Sequence, residues 1–562
     1  MKNFRIEPKL YTVLFRERYT LSQFSRDLVA GILVGIVALP LSIALAIASG
    51  VKPEQGIYTA VIAGFLISAL GGSRVQIGGP TGAFIVLVYN TVQQFGYGGL
   101  AVATMLAGGL LLVMGLLQFG SAIKFIPYPV TVGFTCGIAV LIATTQVRDL
   151  LGLEMPPPPA EFHEKIIAYA SHISTINPHS VGLAAAAFAI ILFWPRVTRR
   201  VPGSLIAILI LTPLVIALDL PVETIRSRFG SVPTMLPTPS LPDIDWRQLP
   251  RLFQPAFAIA MLGGIESLLS AVVADGMTGR RHRSNTELVA QGIANIASPL
   301  FLGIPATGAI ARTATNIRNG GQTPVAGMVH AATLLAIMLV FGKWAVLIPM
   351  PILAAILLKV AMDMGEWRLL IRLLGAQRGD ALVMVSTFLL TVFADLTVAI
   401  GFGVVMASFL FMHRMAEATQ IGIITDEING DELEDDPNAI QRRVVPDGVE
   451  VFEIYGPFFF GAADRFKDEL RRIEKPPRVL ILRMRHVPTI DATGIIALED
   501  LFRKCQKEKT ELVLSGVQSK TWDQLVTSGL YRRIGPANVH THIDYALARA
   551  REIVEPAVSA TS

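Results

Sequence analysis

The chain has 562 residues, 52% hydrophobic and only 16% charged, and its mean hydropathy of +0.54 excludes an ordinary soluble protein of this size. The formal charge of +5 comes largely from arginines in loops between apolar runs, so it reports membrane topology and not nucleic-acid binding. The two cysteines, Cys136 and Cys505, are too few and too far apart for a disulfide framework or a zinc site.

Residues 1–26 are basic and polar, and the apolar run that follows has the length of a true span and not of a cleavable signal. Runs able to cross, or nearly cross, the hydrocarbon lie at about 27–49, 55–72, 98–119, 126–146, 179–195, 202–218, 255–275, 286–303, 324–342, 345–363, 380–394 and 396–413. Two more, about 80–95 and 306–317, are short and preceded by Gly and Pro, so they read as half-helices starting near Pro80 and Pro305. Fourteen segments result. They place the basic clusters (Lys2 to Arg26, Arg196/Arg199/Arg200, Arg280/Arg281/Arg283, Arg368/Arg372/Arg378 and Arg414) on one face, which makes both termini cytoplasmic. The connections at 147–178 and 219–254 are then expected outside, as short amphipathic or extended pieces.

The chain repeats itself. Thr81-Gly82-Ala83 in IGGPTGAFIV recurs 226 positions later as Thr307-Gly308-Ala309 in GIPATGAIAR, and IPYPV at Ile126 recurs 222 positions later as IPMPI at Ile348. The implied unit is seven segments, and an odd number turns the second copy upside down: a seven-plus-seven inverted repeat. After an acidic linker (Asp426 to Asp436), VEVFEIYG, RVLILRM and ELVLSGV read as strands, and AADRFKDELRRI and TGIIALEDLFRKC as helices. The tail is therefore a small α/β domain.

A helix that begins inside the membrane presents unpaired N–H groups and a partial positive charge. Two such ends meeting make an anion site with few charged side chains. Thr81 and Thr307 add hydroxyls, although small residues also serve close helix packing. Glu266 lies mid-span beside Ser267 and Ser270; a carboxylate there is costly to keep charged unless a cation or donors offset it, which makes it a proton-carrier candidate. The alternative is a structural acid bonded to the neighbouring half-helix. Arg312, two turns into the second half-helix on this reading, supplies permanent charge to an anion or a counter-ion to Glu266. Asp395 and His330 are read as boundary or packing residues, and Asp275 with Arg280, Arg281 and His282 as a polar turn.

Three strings carry a family resemblance: ALPLSIALAIASGVKPEQGIYTAVIAGFLISALGGSR (Ala38 to Arg74), GGIESLLSAVVADGMTGRRHRSNTELVAQGIANI (Gly263 to Ile296) and PATGAIARTATNIRNGGQTPVAG (Pro305 to Gly327). They resemble the SulP sulfate permeases and their solute-carrier anion-exchanger relatives, and look nearest to the DauA-type bacterial dicarboxylate transporters. Gln55 and Ile57 replace the more usual Tyr and Leu. YGPFFFGAADRF and TIDATGIIALEDL are similar to a STAS domain.

The resemblance implies an α-helical membrane protein of 14 transmembrane segments as a 7+7 inverted repeat, with a C-terminal cytoplasmic STAS domain. Its domains would be an N-terminus (1–26), a transporter domain (27–418; core about 27–119 and 255–342, gate about 126–218 and 345–413), a linker (419–445) and the STAS domain (446–555). The core is expected to move against the gate like an elevator, in a homodimer of the inner (plasma) membrane.

Carried over residue by residue, the substrate site is Thr81, Gly82, Ala83, Thr307, Gly308, Ala309 and Arg312. Ala311 stands where several animal relatives have serine. Glu266 occupies the place of an aspartate in sodium-coupled bicarbonate relatives, with Ser270 for their nearby threonine; glutamate there implies coupling to protons over sodium. Asp491 is followed by Ala492 where phospho-switching STAS domains have serine, so that switch is absent and Thr493 is the weaker substitute. The expected function is secondary active, proton-coupled symport of sulfate or a C4-dicarboxylate. The alternatives are a bicarbonate transporter, an exchanger or channel of the same fold, or a membrane receptor signalling through the STAS domain. No nucleophile–base pair, metal cluster or phosphate loop points to an enzyme, and no cofactor or nucleic-acid partner is expected.

Overall fold

The computed structural model describes residues 6–121, 127–159, 161–198, 201–230, 233, 235–242, 247–375, 377–394, 396–418, 420–423, 443–459, 462, 466 and 475–555. Lys2, Arg5, Ile126, Arg199, Arg200, Asp395, the acidic stretch Asp426 to Asp436 and most of the AADRFKDELRRI pattern lie outside these residues. The chain forms two compact units, Met1–Val405 and Met406–Ser562.

Helices α1 (Leu21–Ala48), α2 (Pro53–Leu70), α3 (Ile85–Leu116), α4 (Tyr128–Thr145), α5 (Phe162–Ser171), α6 (Pro178–Phe193), α7 (Gly203–Ala217), α8 (Leu249–Thr278), α9 (Ser284–Leu300), α10 (Ile310–Arg318), α11 (Pro324–Ala345), α12 (Met350–Met364), α13 (Arg378–Phe393) and α14 (Leu396–Ala418) follow in order. All but α5 belong to the membrane domain, and of these the short α10, with Arg312, Thr313, Thr315, Asn316 and Arg318, is the polar one. Among the described residues, six stretches are individually long and apolar enough to span a bilayer: Leu21–Ala48, Gly82–Leu116, Tyr128–Leu151, Pro178–Arg196, Leu249–Thr278 and Pro324–Ala345. Helix α3 holds two segments, broken at Gly96, whose φ of 69° and ψ of −178° only glycine adopts readily. Counted so, the segments among the described residues number fourteen, and the cysteines are free and buried as packing residues.

Helix starts follow from local chemistry. Thr20 and Gln23 form a reciprocal capping box on α1. Proline occupies the first turn of α2, α4, α6, α11 and α12, where its missing N–H costs nothing. Asp27, fully buried in α1, accepts from the backbone N–H of Gln322 at 2.7 Å and of Thr323 at 3.1 Å, just ahead of α11, and from the Tyr19 hydroxyl at 2.8 Å. A buried carboxylate is thereby satisfied at a helix N-terminus, and α1 is locked to α11.

Helix α3 packs on α8 and α9, α1 on α2 and α11, and α4 on α12 and α13. The α3–α9 crossing depends on paired glycines: a Cβ on Gly108 would lie 2.6 Å from the Gly292 carbonyl oxygen, and one on Gly292 would lie 2.7 Å from that of Gly108. The starts of α1, α4, α9, α11 and α13 and the ends of α2, α8 and α12 share the N-terminal face. Contacts there include Arg283 Nη1 to the Glu7 carbonyl (2.7 Å) and Tyr128 to Glu366 (3.1 Å). The described residues of 147–177 and 219–230 cap the opposite face as short helices and turns, joined by Asn177 Nδ2 donating to the Pro221 carbonyl at 2.7 Å, while Thr224 bridges to Pro349 ahead of α12.

Mid-domain, β1 (Gly78–Gly79) pairs antiparallel with β2 (Thr307–Gly308), in register Gly78 to Gly308 and Gly79 to Thr307. This corrects the expected half-helices. Helical backbone starts not at Pro80 and Pro305 but at Gly82, as a 3₁₀ turn leading into α3, and at Ile310. The prolines precede extended stretches, and Arg312 is the third residue of its helix, in the first turn and not the second.

In the second unit, β3 (Gln420–Ile423) runs antiparallel to β4 (Val449–Tyr455), and β5 (Val479–His486), β6 (Glu511–Ser515) and β7 (Val539–His540) continue parallel, in the order β3-β4-β5-β6-β7. Phe452, Leu482 and Leu514 on one face pack on Leu498 and Leu501 of α15 (Ala492–Glu508). Val451, Ile481 and Val513 on the other meet Ile543, Ala546 and Leu547 of a helix spanning Ile543–Val554. Burial on both faces explains the near-continuous apolar strands. Asp491 caps α15, accepting from Gly494 N–H at 2.7 Å.

Gly108→Ala should destabilise the protein by about 1–3 kcal/mol through overpacking at the α3–α9 crossing. Gly109→Ala, whose new Cβ meets nothing within 4 Å, should be neutral or stabilising. Thermal unfolding of detergent-solubilised protein compares them; equal effects would mean that the crossing is not under this constraint.

Candidate functional site

The strand pair exists because backbone in the membrane interior has no water to bond. Buried amides complete what the short ladder leaves open. Asn295 donates to the Ala306 carbonyl and accepts its N–H (2.8 and 2.9 Å), Asn316 donates to the Val75 carbonyl (2.8 Å), and Thr313 accepts from Ile77 N–H (3.0 Å). Gln76 donates to Ser267 Oγ at 2.9 Å, and Ser267 donates to Glu287 at 3.2 Å. Glu287 also accepts from the N–H groups of Gly72 (2.8 Å) and Ser73 (3.1 Å).

The two repeat threonines both reach α8, one turn apart. Thr81 Oγ1 donates to Glu266 Oε2 at 2.9 Å, and Thr307 Oγ1 donates to the Gly263 carbonyl at 2.8 Å. Gly79, at φ +148°, leaves room that any Cβ would take: such an atom would sit 2.6 Å from Arg312 Nη1. Arg312, 3% exposed, donates Nη2 to the Pro80 carbonyl, while its Nε and Nη1 have no protein partner. It forms no ion pair with Glu266 within 4 Å among the described residues. The first turns at Gly82 and Ile310 have no side-chain cap, so their N–H groups stay available.

These groups border a cavity of about 440 Å³. Thr81, Gly82, Ala83, Glu266, Ala309 and Arg312 line it, with apolar Leu41, Leu45, Leu262 and Ile265 on the same side and Phe134, Ile138, Val360 and Met364 of α4 and α12 facing them. Its wall runs out to Asp363 and Glu366 on the N-terminal face, where the Asp363 side chain is 66% exposed and paired with Lys359. The arrangement offers an anion two uncapped helix starts and two unpaired guanidinium nitrogens, beside one carboxyl group held by a single hydroxyl.

Of the residues expected at the site, Thr307, Gly308 and Ser270 lie behind the cavity wall. Thr307 is turned to α8, a Cβ on Gly308 would fall 1.6 Å from Gln76 Nε2, and Ser270 donates to Thr313 at 3.3 Å. His330 is fully buried, with neither ring nitrogen paired. Sequence reasoning missed Thr131 and Thr135 of α4, Asp363 in the last turn of α12 and Glu366 just beyond it, all on the wall. The hydroxyls four apart in an apolar segment were the available signal for the first pair; the acids read as an ordinary segment end.

The family model described as the sulfate permease family matches residues 24–387, and the STAS domain model matches residues 442–546. YvdB of Bacillus subtilis (strain 168), provisionally named a sulfate transporter, is 41% identical over 94% of this chain and 98% of its own. The bicarbonate transporter BicA of Synechocystis is 32% identical over 93% of this chain and 94% of its own. Among solved structures, the transmembrane domain of a cyanobacterial BicA aligns at a TM-score of 0.63 and 34% identity, covering 68% of this chain and 98% of that one. SLC26A9 aligns at 0.84 and 17% identity, covering 98% and 94%, a likeness of fold. None of these relatives is named a dicarboxylate transporter. The chain belongs to the sulfate permease family: it is a multi-pass membrane transporter of small anions, not an enzyme, and carries a C-terminal STAS domain.

Proposed function

We propose that the chain is a proton-coupled symporter of a compact oxyanion, sulfate or bicarbonate, in which Arg312 and the helix starts at Gly82 and Ile310 hold the anion and Glu266 carries the proton. The observation that supports this reading best is Arg312: a buried guanidinium on the cavity wall with two donor nitrogens unpartnered. Unsatisfied buried donors of a permanent cation call for an anion.

Charge balance gives Glu266 its role. With the cavity empty, an ionised Glu266 and Arg312 sum to zero. With a monoanion bound, a proton on Glu266 keeps the sum at zero, so either form crosses the membrane interior at low electrostatic cost. A dianion leaves one net negative charge. The cavity lies between α1, α3, α8 and α10 on one side and α4 and α12 on the other, which suits an elevator in which the first group, with the rest of the core (about 27–119 and 255–342), slides past the gate (about 126–218 and 345–413). We take the working form to be a homodimer in the plasma membrane, both termini cytoplasmic, with the STAS domain regulating it or recruiting partners.

A C4-dicarboxylate needs a second cation for its far carboxylate. The other described residues of the wall supply Asp363 and Glu366 instead, and the nearby Lys359 is held by Asp363. The bicarbonate reading is favoured by two cyanobacterial relatives named for that substrate; the sulfate reading by YvdB.

Arg312→Ala should weaken anion binding about tenfold to a hundredfold, from the loss of one or two charged hydrogen bonds, with the fold kept. Calorimetry with purified protein measures it, and unchanged affinity would remove Arg312 from the site. Glu266→Gln should abolish uptake driven by a pH gradient in proteoliposomes while exchange continues, because the empty carrier then bears an uncompensated arginine. Undiminished accumulation would overturn the proton assignment. In a competition panel, sulfate and bicarbonate should displace labelled substrate at least about tenfold better than succinate; the reverse order would restore the dicarboxylate reading.

A further inference from the structure

On the face opposite the N-terminus, a second group of cations lacks acidic partners. Lys165 of α5 is 2% exposed, with its ammonium 5.7 Å from the centre of the Tyr89 ring of α3. Arg148, in the short helix Val147–Leu151 that follows α4, has a buried Nε without a partner. Neither has a carboxylate within ion-pair distance among the described residues. The nearby acids are committed elsewhere, since Arg228 takes Asp149 at 2.6 Å and also holds Glu223.

Tyr169, 5% exposed, carries a buried hydroxyl with no partner, close enough to Tyr89, Arg148 and Asp149 to feel their charges. Asn90, beside Tyr89, has an unpaired buried Oδ1. Holding a buried lysine, a partly buried arginine and a buried hydroxyl without an acidic partner is costly unless something completes the set. The chemical complement of two cations and a phenol donor is an anion. Tyr89 stands seven residues beyond Gly82 on the same broken helix, about 10 Å at helical rise, so the cluster lies along the way from this face to the central cavity.

We propose that Lys165, Arg148 and the Tyr169 hydroxyl form a second anion site, which captures a small oxyanion at the face opposite the N-terminus before it reaches Arg312. The Tyr89 ring occupies Lys165 in the present conformation, and the Tyr89 hydroxyl donates to the Pro158 carbonyl. Sliding of α3 would uncover the ammonium. The proposal rests on the transport reading above, but its residues are separate from that site.

Burial lowers the Lys165 ammonium to a pKa of about 8. Tyr89 of α3 faces it directly; Tyr169, one turn along α5, has Arg148 and Asp149 nearby, Arg228 of the 219–230 connection holds Asp149 and Glu223, and Glu161, His163 and Glu164 are the exposed groups of its own segment. The ammonium is charged below about pH 8 and neutral above, so capture weakens as the pH on that face rises through 8.

In sided proteoliposomes of the full chain, with labelled sulfate and labelled bicarbonate tested separately, Lys165→Ala should raise KM from this face about fivefold to tenfold, with kcat and the opposite-face KM within about twofold. Lys165→Arg should restore KM and remove the rise above pH 8. If Lys165 only latched the closed state, its loss would favour the opposite conformation and lower that KM; a lowered or unchanged KM overturns the proposal. Tyr169→Phe, which deletes only the hydroxyl, should raise the same KM about twofold to fivefold and serves if the lysine variant fails to fold. Independently of transport, purified Arg312→Ala protein should retain a weaker sulfate site by calorimetry that disappears when Lys165→Ala is added. Loss of all binding in Arg312→Ala alone would refute a second site, whereas unchanged uptake by Arg312→Ala would refute the central one.

Discussion

Backbone N–H and C=O groups in the interior of a bilayer have only protein to bond to, and the crossing of residues 78–79 with 307–308 is where this chain meets that demand without a helix. The two-residue ladder is too short to stand alone. Asn295 of α9 and Thr313 and Asn316 of α10 complete it, and Gln76, just ahead of β1, ties it to α8, each through a bond of 2.8 to 3.0 Å. Once the strands are held there, two helices must start beside them with bare first turns, and these form the cradle proposed for an anion.

The same demand explains why residues that look like ligands are not all on the cavity. Thr307 and Gly308 are consumed in holding the strand: one hydroxyl goes to α8, and the missing Cβ admits Gln76. Their counterparts Thr81 and Gly82 border the cavity. The repeat is thus exact in sequence and divided in duty, because the first copy enters its helix at Gly82 while the second waits until Ile310. Glu287, deeper still, is paired four ways and fastens the 72–73 turn to α9.

Much of this was legible in the residues. Segment number, the inverted repeat and the STAS tail followed from hydropathy, spacing and the quoted strings, since those record burial directly. The helix starts were misread because proline before a membrane helix usually marks its first turn, whereas Pro80 and Pro305 here enter extended backbone. That difference moved Arg312 a full turn closer to the helix end. Strands β3 and β7, of four and two residues, are too short for alternation to register. The acids near the end of α12 and the Lys165 group depend on partners distant in sequence, and no local pattern announces that an arginine elsewhere has already claimed Asp149 and Glu223.

The link between Thr81 and Glu266 has a consequence of its own. The carboxylate stands on α8, while the elements proposed to cradle an anion stand at the starts of α3 and α10, and one hydroxyl at 2.9 Å joins the first of these to it directly. If Glu266 and the cradle act as proposed, such a division is modular: the helix bearing the carboxylate can drift in sequence, exchanging one driving ion for another, while the cradle stays intact. One scaffold can therefore diversify in its energy source and in its cargo along separate evolutionary paths.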